Sequence, residues 1–313
     1  PPALEILPGG NLVVAYPVAL PGKWKNEIRL QRSADGGAHW SEPELLHPER
    51  IGAHSFLSSA VTAEGEPVFA WLDDSTGHMG LRARWGAASP VTLDPETCEC
   101  CGTALLAGRQ GEVWLAYRDS EDDVRDFRLL RADGAGSGFD RGRTLSADGW
   151  KLQGCPHTGA RLARTDGALW AAWFTAGEGQ AGIYTASSAD AGATFSPRTL
   201  VAAAGQEGMV RHPELGALPD GGLVLLYESQ GDGKQALLAQ VRAPETGRWE
   251  PSRQVAPGAT YPRWAAAGSE ATLAFTCHSG AGSQVVVADW AVAANGGLAG
   301  MACDASAPSH SGH

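Results

Sequence analysis

The residue types in this chain that can do chemistry gather in two short runs, Cys98-Glu99-Cys100-Cys101 and Cys155-Pro156-His157. Thiolates and imidazoles are the ligands that select soft or borderline metals, namely copper(I), copper(II) or zinc. Cys277-His278, His54 and His212 are further ligands of the same kind. The spacings are not those of a zinc finger or ribbon, and a thiolate-rich set in an exported protein suits copper. Copper is therefore the expected metal and zinc the alternative. Disulfides compete for the same sulfurs. Joining neighbours within the first run closes a very small, strained ring, but either end of it can bridge to Cys155. Such a bridge leaves at least one thiol of the run unpaired, or paired with Cys277.

These runs must be held by structure, and a repeat in the sequence says which. An apolar segment ending in an aromatic residue recurs six times, as LVVAY, PVFAW, VWLAY, LWAAW, LVLLY and TLAF. The closing aromatics are Tyr16, Trp71, Tyr117, Trp173, Tyr227 and Phe275, at intervals of 55, 46, 56, 54 and 48 residues. A period near fifty, with strand-like segments around each copy, is the pattern of β-propeller blades. The reading is an all-β, six-bladed β-propeller with four-stranded antiparallel blades over residues 1–295, followed by a flexible tail over 296–313. Glycine at 41 positions and the lack of long helical periodicity argue against a helical class. The repeated segment is expected as the second strand of each blade, with first strands opening near residues 54, 101, 157, 212 and 261. Pairing of the N-terminal segment with VVVADW would close the ring and remove a sheet edge.

In blade one the turn after the third strand reads Ser33-Ala34-Asp35-Gly36-Gly37-Ala38-His39-Trp40, and in blade four Ser188-Ala189-Asp190-Ala191-Gly192-Ala193-Thr194-Phe195. The carboxylate can accept hydrogen bonds from its own turn, glycine permits positive φ, and the aromatic pins the hairpin. This S-x-D-x-G-x-x-W/F pattern, with degenerate copies at 131–139 and 243–249, resembles the Asp box, or BNR repeat, of the sialidase-like six-bladed propellers. The resemblance covers nearly the whole chain. Through TCECCGTALLA, YRDSEDDVRDF and DGWKLQGCPHTGARLA it is also similar to a bacterial subgroup, marked by CxCC and CPH, that carries the sialidase label by fold. The resemblance implies that Asp35 and Asp190 are structural and lie opposite the functional face.

On that functional face the loops entering each first strand and leaving each second strand share a central mouth. The ruler of the repeat assigns to it His54, Cys98, Cys100, Cys101, Cys155, His157, His212, Cys277 and His278 as one expected metal site. The family resemblance implies sialoside hydrolysis, with three arginines around the substrate carboxylate, a Tyr/Glu pair as nucleophile and base, and an Asp acid/base. Its first arginine stands in an R-I-P motif on the first blade, where this chain reads Ala3-Leu4-Glu5-Ile6-Leu7-Pro8. Arg125, Arg211 and Arg263, with Tyr261 and Glu228 or Glu214, are the substitute set. They stand outside the family's motif, so the activity is not carried over with the fold. The charge run Tyr117–Asp126 has carboxylates at alternating positions that suit calcium, but no EF-hand spacing. It reads as a solvated loop with Arg–Asp pairing, its Arg118 and Arg125 turned toward the mouth.

A formal charge of −11 and the lack of any Lys/Arg cluster argue against nucleic acid and anionic lipid as partners. No apolar run approaches the ~20 residues of a membrane span. Six cysteines fit an exported, oxidising compartment or a metal site, and count alone does not separate the two; a periplasmic or secreted location is expected, with a signal peptide removed. Three functions remain. The first is an exported copper-binding propeller for copper handling, delivery or redox chemistry, whose partners are the metal ion and a periplasmic copper protein or small acidic ligand. The second is a sialidase-like glycoside hydrolase acting on acidic sugars. The third is a non-catalytic, disulfide-stapled module that binds glycan or protein.

Overall fold

The computed structural model describes residues 2–48, 52–134, 136–206, 208–279, 282–294 and 303. Six antiparallel sheets follow one another along the chain, and the fold is an all-β six-bladed β-propeller. Blade one comprises β1 (Ala3–Ile6), β2 (Leu12–Ala19), β3 (Asn26–Ser33) and β4 (Glu44–Leu45); blade two comprises β5 (His54–Val61), β6 (Pro67–Asp73), β7 (Gly80–Trp85) and β8 (Val91–Asp94). Blade three is built from β9 (Ala104–Ala107), β10 (Val113–Arg118), β11 (Phe127–Ala132) and β12 (Arg143–Thr144); blade four from β13 (Arg161–Arg164), β14 (Leu169–Thr175), β15 (Gly182–Ser188) and β16 (Thr199–Ala203). Blade five holds β17 (Met209–Ala217), β18 (Leu223–Gly231), β19 (Lys234–Arg242) and β20 (Arg253–Pro257), and blade six β21 (Ala259–Ala267), β22 (Glu270–Ser279) and β23 (Gly282–Asp289). The chain divides into two compact units, residues 1–160 and 161–313, with three blades in each.

The six repeated segments are β2, β6, β10, β14, β18 and β22, the second strand of every blade. They are apolar without alternation because both their faces are covered: β6 and β10 are buried at every residue. Trp71, Trp114, Trp173, Tyr227 and Phe275 are among the largest fully buried side chains. Neighbouring blades interlock within each unit, as where Leu72 and Leu81 of blade two pack with Leu115 and Leu130 of blade three.

Both Asp boxes close on themselves. Asp35 Oδ1 accepts from the Ser33 hydroxyl at 2.8 Å and the His39 N–H at 2.9 Å, while the Trp40 indole donates to the Gly37 carbonyl. Asp190 repeats this with Ser188 at 2.7 Å and the Thr194 N–H at 2.8 Å. These bonds to the charged form hold both carboxyls below their usual range.

Blade six departs from expectation. Among the described residues it has three strands, with β23 paired to β22 as the last of them. The chain leaves the sheet at Asp289 and enters a short helix, α1 (Trp290–Ala294). There Trp290 packs edge-on against Trp264 at 5.3 Å and under the Arg253 guanidinium, which diverts it from a strand path. The tail expected over 296–313 lies outside the described residues apart from Cys303. No helix of the described residues is long and apolar enough to cross a membrane.

Candidate metal centre

Both metal-ligating runs lie in the first unit. Cys98–Cys101 sits on the connection from β8 to β9, and Cys155–His157 on the segment that follows β12. The first run is seated from behind by β10: the Cys98 N–H donates to the Arg118 carbonyl at 3.2 Å. Arg118 is itself 2% exposed, and its guanidinium donates to the carbonyls of Arg125 at 2.6 Å and Thr158 at 3.4 Å. It lies over the rings of Phe127 and Trp150 at 4.0 and 4.9 Å. One buried cation thus ties the charge-run loop to the segment carrying His157. The run's other side is packed by Phe56, held at φ 53° in a bulge of β5, whose carbonyl accepts from the Thr103 hydroxyl at 2.8 Å.

The two runs meet where neither has a side chain. A Cβ added at Gly159 would stand 2.5 Å from the Gly102 carbonyl oxygen, so the two backbones touch. This contact sets Cys155 and His157 beside Cys100. His157 adopts φ 51°, a conformation unusual for a residue with a Cβ and frequent at functional sites.

Two ligand groups result, Cys98/Cys100/Cys101 and Cys100/Cys155/His157, with donor atoms within 4.8 Å of one another in each. The Cys98 sulfur lies 3.9 Å from that of Cys100 and 3.7 Å from that of Cys101. Sulfurs bound to one metal at about 2.3 Å stand about 3.8 Å apart in a tetrahedron and about 4.0 Å apart in a trigonal plane, so the spacing fits an ion at their centre. The first three sulfurs are buried, at 1, 5 and 2% exposure, whereas Cys155 and His157 are exposed. Contacts with the Cys100 and Cys101 thiols, reinforced by Arg118, pull the Cys98 thiol far below its ordinary range; burial pushes that of Cys101 up to about 11. The bridges from the CECC run to Cys155 are not made, and all four cysteines are unpaired.

Other expected ligands go elsewhere. Cys277 is joined to Cys303, with Cα atoms 5.2 Å apart, and so has no thiolate to offer a metal. His278 contacts the hydroxyls of Thr260 at 3.0 Å and Ser283 at 2.8 Å. His54 is fully buried, stacked on His47 with centroids 3.7 Å apart, and its Nδ1 faces Asp73 at 3.2 Å. His212 faces Glu228 at 2.9 Å. Arg118, expected at the mouth, is an internal brace. The sequence carries a signal for that role only in its place at the end of an apolar strand.

The second unit assembles most of the substitute glycosidase set. Bulges in β17 and β21 place His212 at φ 48° and Tyr261 at φ 52°, each followed by a proline. Between them the buried Glu228 accepts from Arg211 Nε at 3.2 Å, the Tyr261 N–H at 2.7 Å and Gln235 at 3.4 Å. Burial alone would raise its pKa, but His212, the Tyr261 N–H and Arg211 together lower it. Glu214 binds Arg161 at 2.7 Å and Arg263 at 3.5 Å. Burial and the Glu228 charge push the Tyr261 hydroxyl up. Arg125 belongs to the first unit, where its Nε donates to the Leu152 carbonyl at 3.3 Å. The charge-run loop lines a cavity of about 340 Å³ in which Arg128 and Lys151 accompany the carboxylates, and Asp119 pairs with Arg128 at 3.3 Å.

Neither a family model nor a curated protein matches this sequence. Solved structures do match its fold. A Dyadobacter fermentans protein of unknown function superposes with a TM-score of 0.60 at 16% identity, over 92% of this chain and 93% of that one. An α-L-arabinofuranosidase of Fusarium graminearum, bound to an iminosugar inhibitor, gives 0.58 at 9% over 93% and 92%. The Trypanosoma rangeli sialidase gives 0.57 at 11% over 94% of this chain and 55% of its own. The six-bladed fold is thus shared with sialidase and arabinanase-type propellers, and at these identities the fold alone is what is shared.

Proposed function

We propose that this protein is an exported copper-binding β-propeller that holds copper through Cys98, Cys100, Cys101, Cys155 and His157, and that it serves in copper handling, delivery or redox chemistry. The observation that carries this reading is the trio of buried, unjoined thiols with sulfurs 3.7 and 3.9 Å apart. The Cys277–Cys303 bridge supports a periplasmic or secreted location, because disulfides persist in oxidising compartments. In such a compartment three thiols this close would oxidise unless a metal kept them as thiolates. Copper(I) is favoured over zinc because each ligand group has three members. Structural zinc is almost always four-coordinate, a count that neither group reaches by itself. A metal ion and a periplasmic copper protein are the expected partners.

Metal analysis of protein purified without a histidine tag tests the reading, with Cys155→Ser alongside. At least one copper per chain is expected, with a reduced content in the variant. Substoichiometric metal after reconstitution under reducing conditions would refute it.

A second reading, hydrolysis of an acidic glycoside, is favoured by Tyr261, Glu228 and Arg211 lying together under two strained bulges. Its test is turnover of a fluorogenic sialoside that disappears in Tyr261→Phe. No turnover across a panel of acidic glycosides would remove it.

A further inference from the structure

The two ligand groups are not separate sites, since Cys100 belongs to both. Five donor atoms are too many for one trigonal copper(I) and too few for two independent ones. Sharing one thiolate resolves the count: each ion then has three ligands. On the copper reading above, we propose that the centre is dinuclear, with the Cys100 thiolate bridging two copper(I) ions. The inner ion is held by Cys98, Cys100 and Cys101, and the outer by Cys100, Cys155 and His157.

Charge and access agree with this arrangement. Four thiolates, one neutral imidazole and two copper(I) ions carry a net charge of −2. Binding displaces one proton from each thiol that enters protonated. The buried Arg118 guanidinium, whose field acts on Cys98 and Cys101, offsets half of that charge where water cannot. The inner trio is buried while Cys155 and His157 face solvent. An incoming ion therefore meets the outer pair first, and the bridging sulfur gives it a path inward by ligand exchange, without release to water. The centre has an entry side and a storage side, the arrangement a protein needs to accept copper from a partner.

Anaerobic titration of the reduced, full chain with copper(I) against a chromophoric chelator measures stoichiometry, and X-ray absorption at the copper edge reports whether a second copper lies in the first few ångströms. Two ions per chain with a copper–copper scattering path are expected. The double variant Cys155→Ser/His157→Ala should keep one ion, lose that path and load more slowly. A single ion per chain, or two ions with no copper–copper path, would overturn the dinuclear centre and leave copper binding standing. No tight binding of any copper would overturn the copper reading itself. Stoichiometry and scattering are read on the wild-type chain, so the test does not depend on the variant folding.

Discussion

Replacing Gly159 by alanine tests how the centre is held together. The added Cβ would lie 2.5 Å from the Gly102 carbonyl oxygen and 3.0 Å from its carbonyl carbon and Cα. Every obstacle is backbone, so no side chain can swing aside. Carbon–oxygen contacts across backbones rest near 3.3–3.6 Å, so the two segments must part by about 0.8–1.1 Å. Gly159 does not need positive φ, so the substitution acts through this contact and not through backbone strain. Overpacking of this kind costs about 1–3 kcal/mol. If metal binding must pull Cys155 and His157 back beside Cys100, copper(I) affinity should fall by about 5- to 150-fold. Chelator competition reads that change, with Gly154→Ala as control because its added Cβ would meet only Leu152 at 3.8 Å or beyond. A folded Gly159→Ala protein that binds copper as tightly as wild type would refute the reasoning.

Three further outcomes follow from the geometry. His47 donates from Nδ1 to the Pro48 carbonyl and accepts the Ile28 N–H at Nε2, and burial, with the stacked His54, holds its pKa below the ordinary value. The folded chain then binds fewer protons than the unfolded one, so stability is full above about pH 6.5 and falls as pH drops below it. Urea unfolding at several pH values should show a shallower acid-side loss in His47→Gln. Cys277→Ser/Cys303→Ser opens a loop with a sequence separation of 26, worth about 3.5 kcal/mol in the chain-entropy account, and should leave copper stoichiometry unchanged; a fall in stoichiometry would return Cys277 to the ligand set. Arg118→Met leaves the Arg125 and Thr158 carbonyls without that donor and should cost about 1–3 kcal/mol by thermal unfolding, together with weaker copper binding. Wild-type stability in that variant would mean the brace is incidental.

The strand repeat, the blade count and the Asp boxes were legible in the sequence because each rests on local chemistry. A strand covered on both faces must be apolar throughout, as β6 and β10 are. An Asp box closes within a few residues of itself, as Asp35 and Asp190 do. The ligand types at 98–101 and 155–157 were legible for the same reason. Their distances were not, because these depend on the touching backbones of Gly102 and Gly159 and on Arg118, which look like an ordinary glycine pair and a loop arginine in one dimension. Cys277 shows the opposite failure: its place after a second strand made it a ligand candidate, yet a cysteine near the chain's end took its sulfur. His54 and His212 were drawn into the metal set by position along the blades, while in the fold each faces a buried carboxylate. Sequence alone therefore determined the six-bladed architecture and the chemical softness of the candidate centre. Tertiary structure decided which sulfurs stand close enough to one another to serve as ligands of one ion, because that choice turns on gaps of a few ångströms between segments that the chain separates by more than fifty residues.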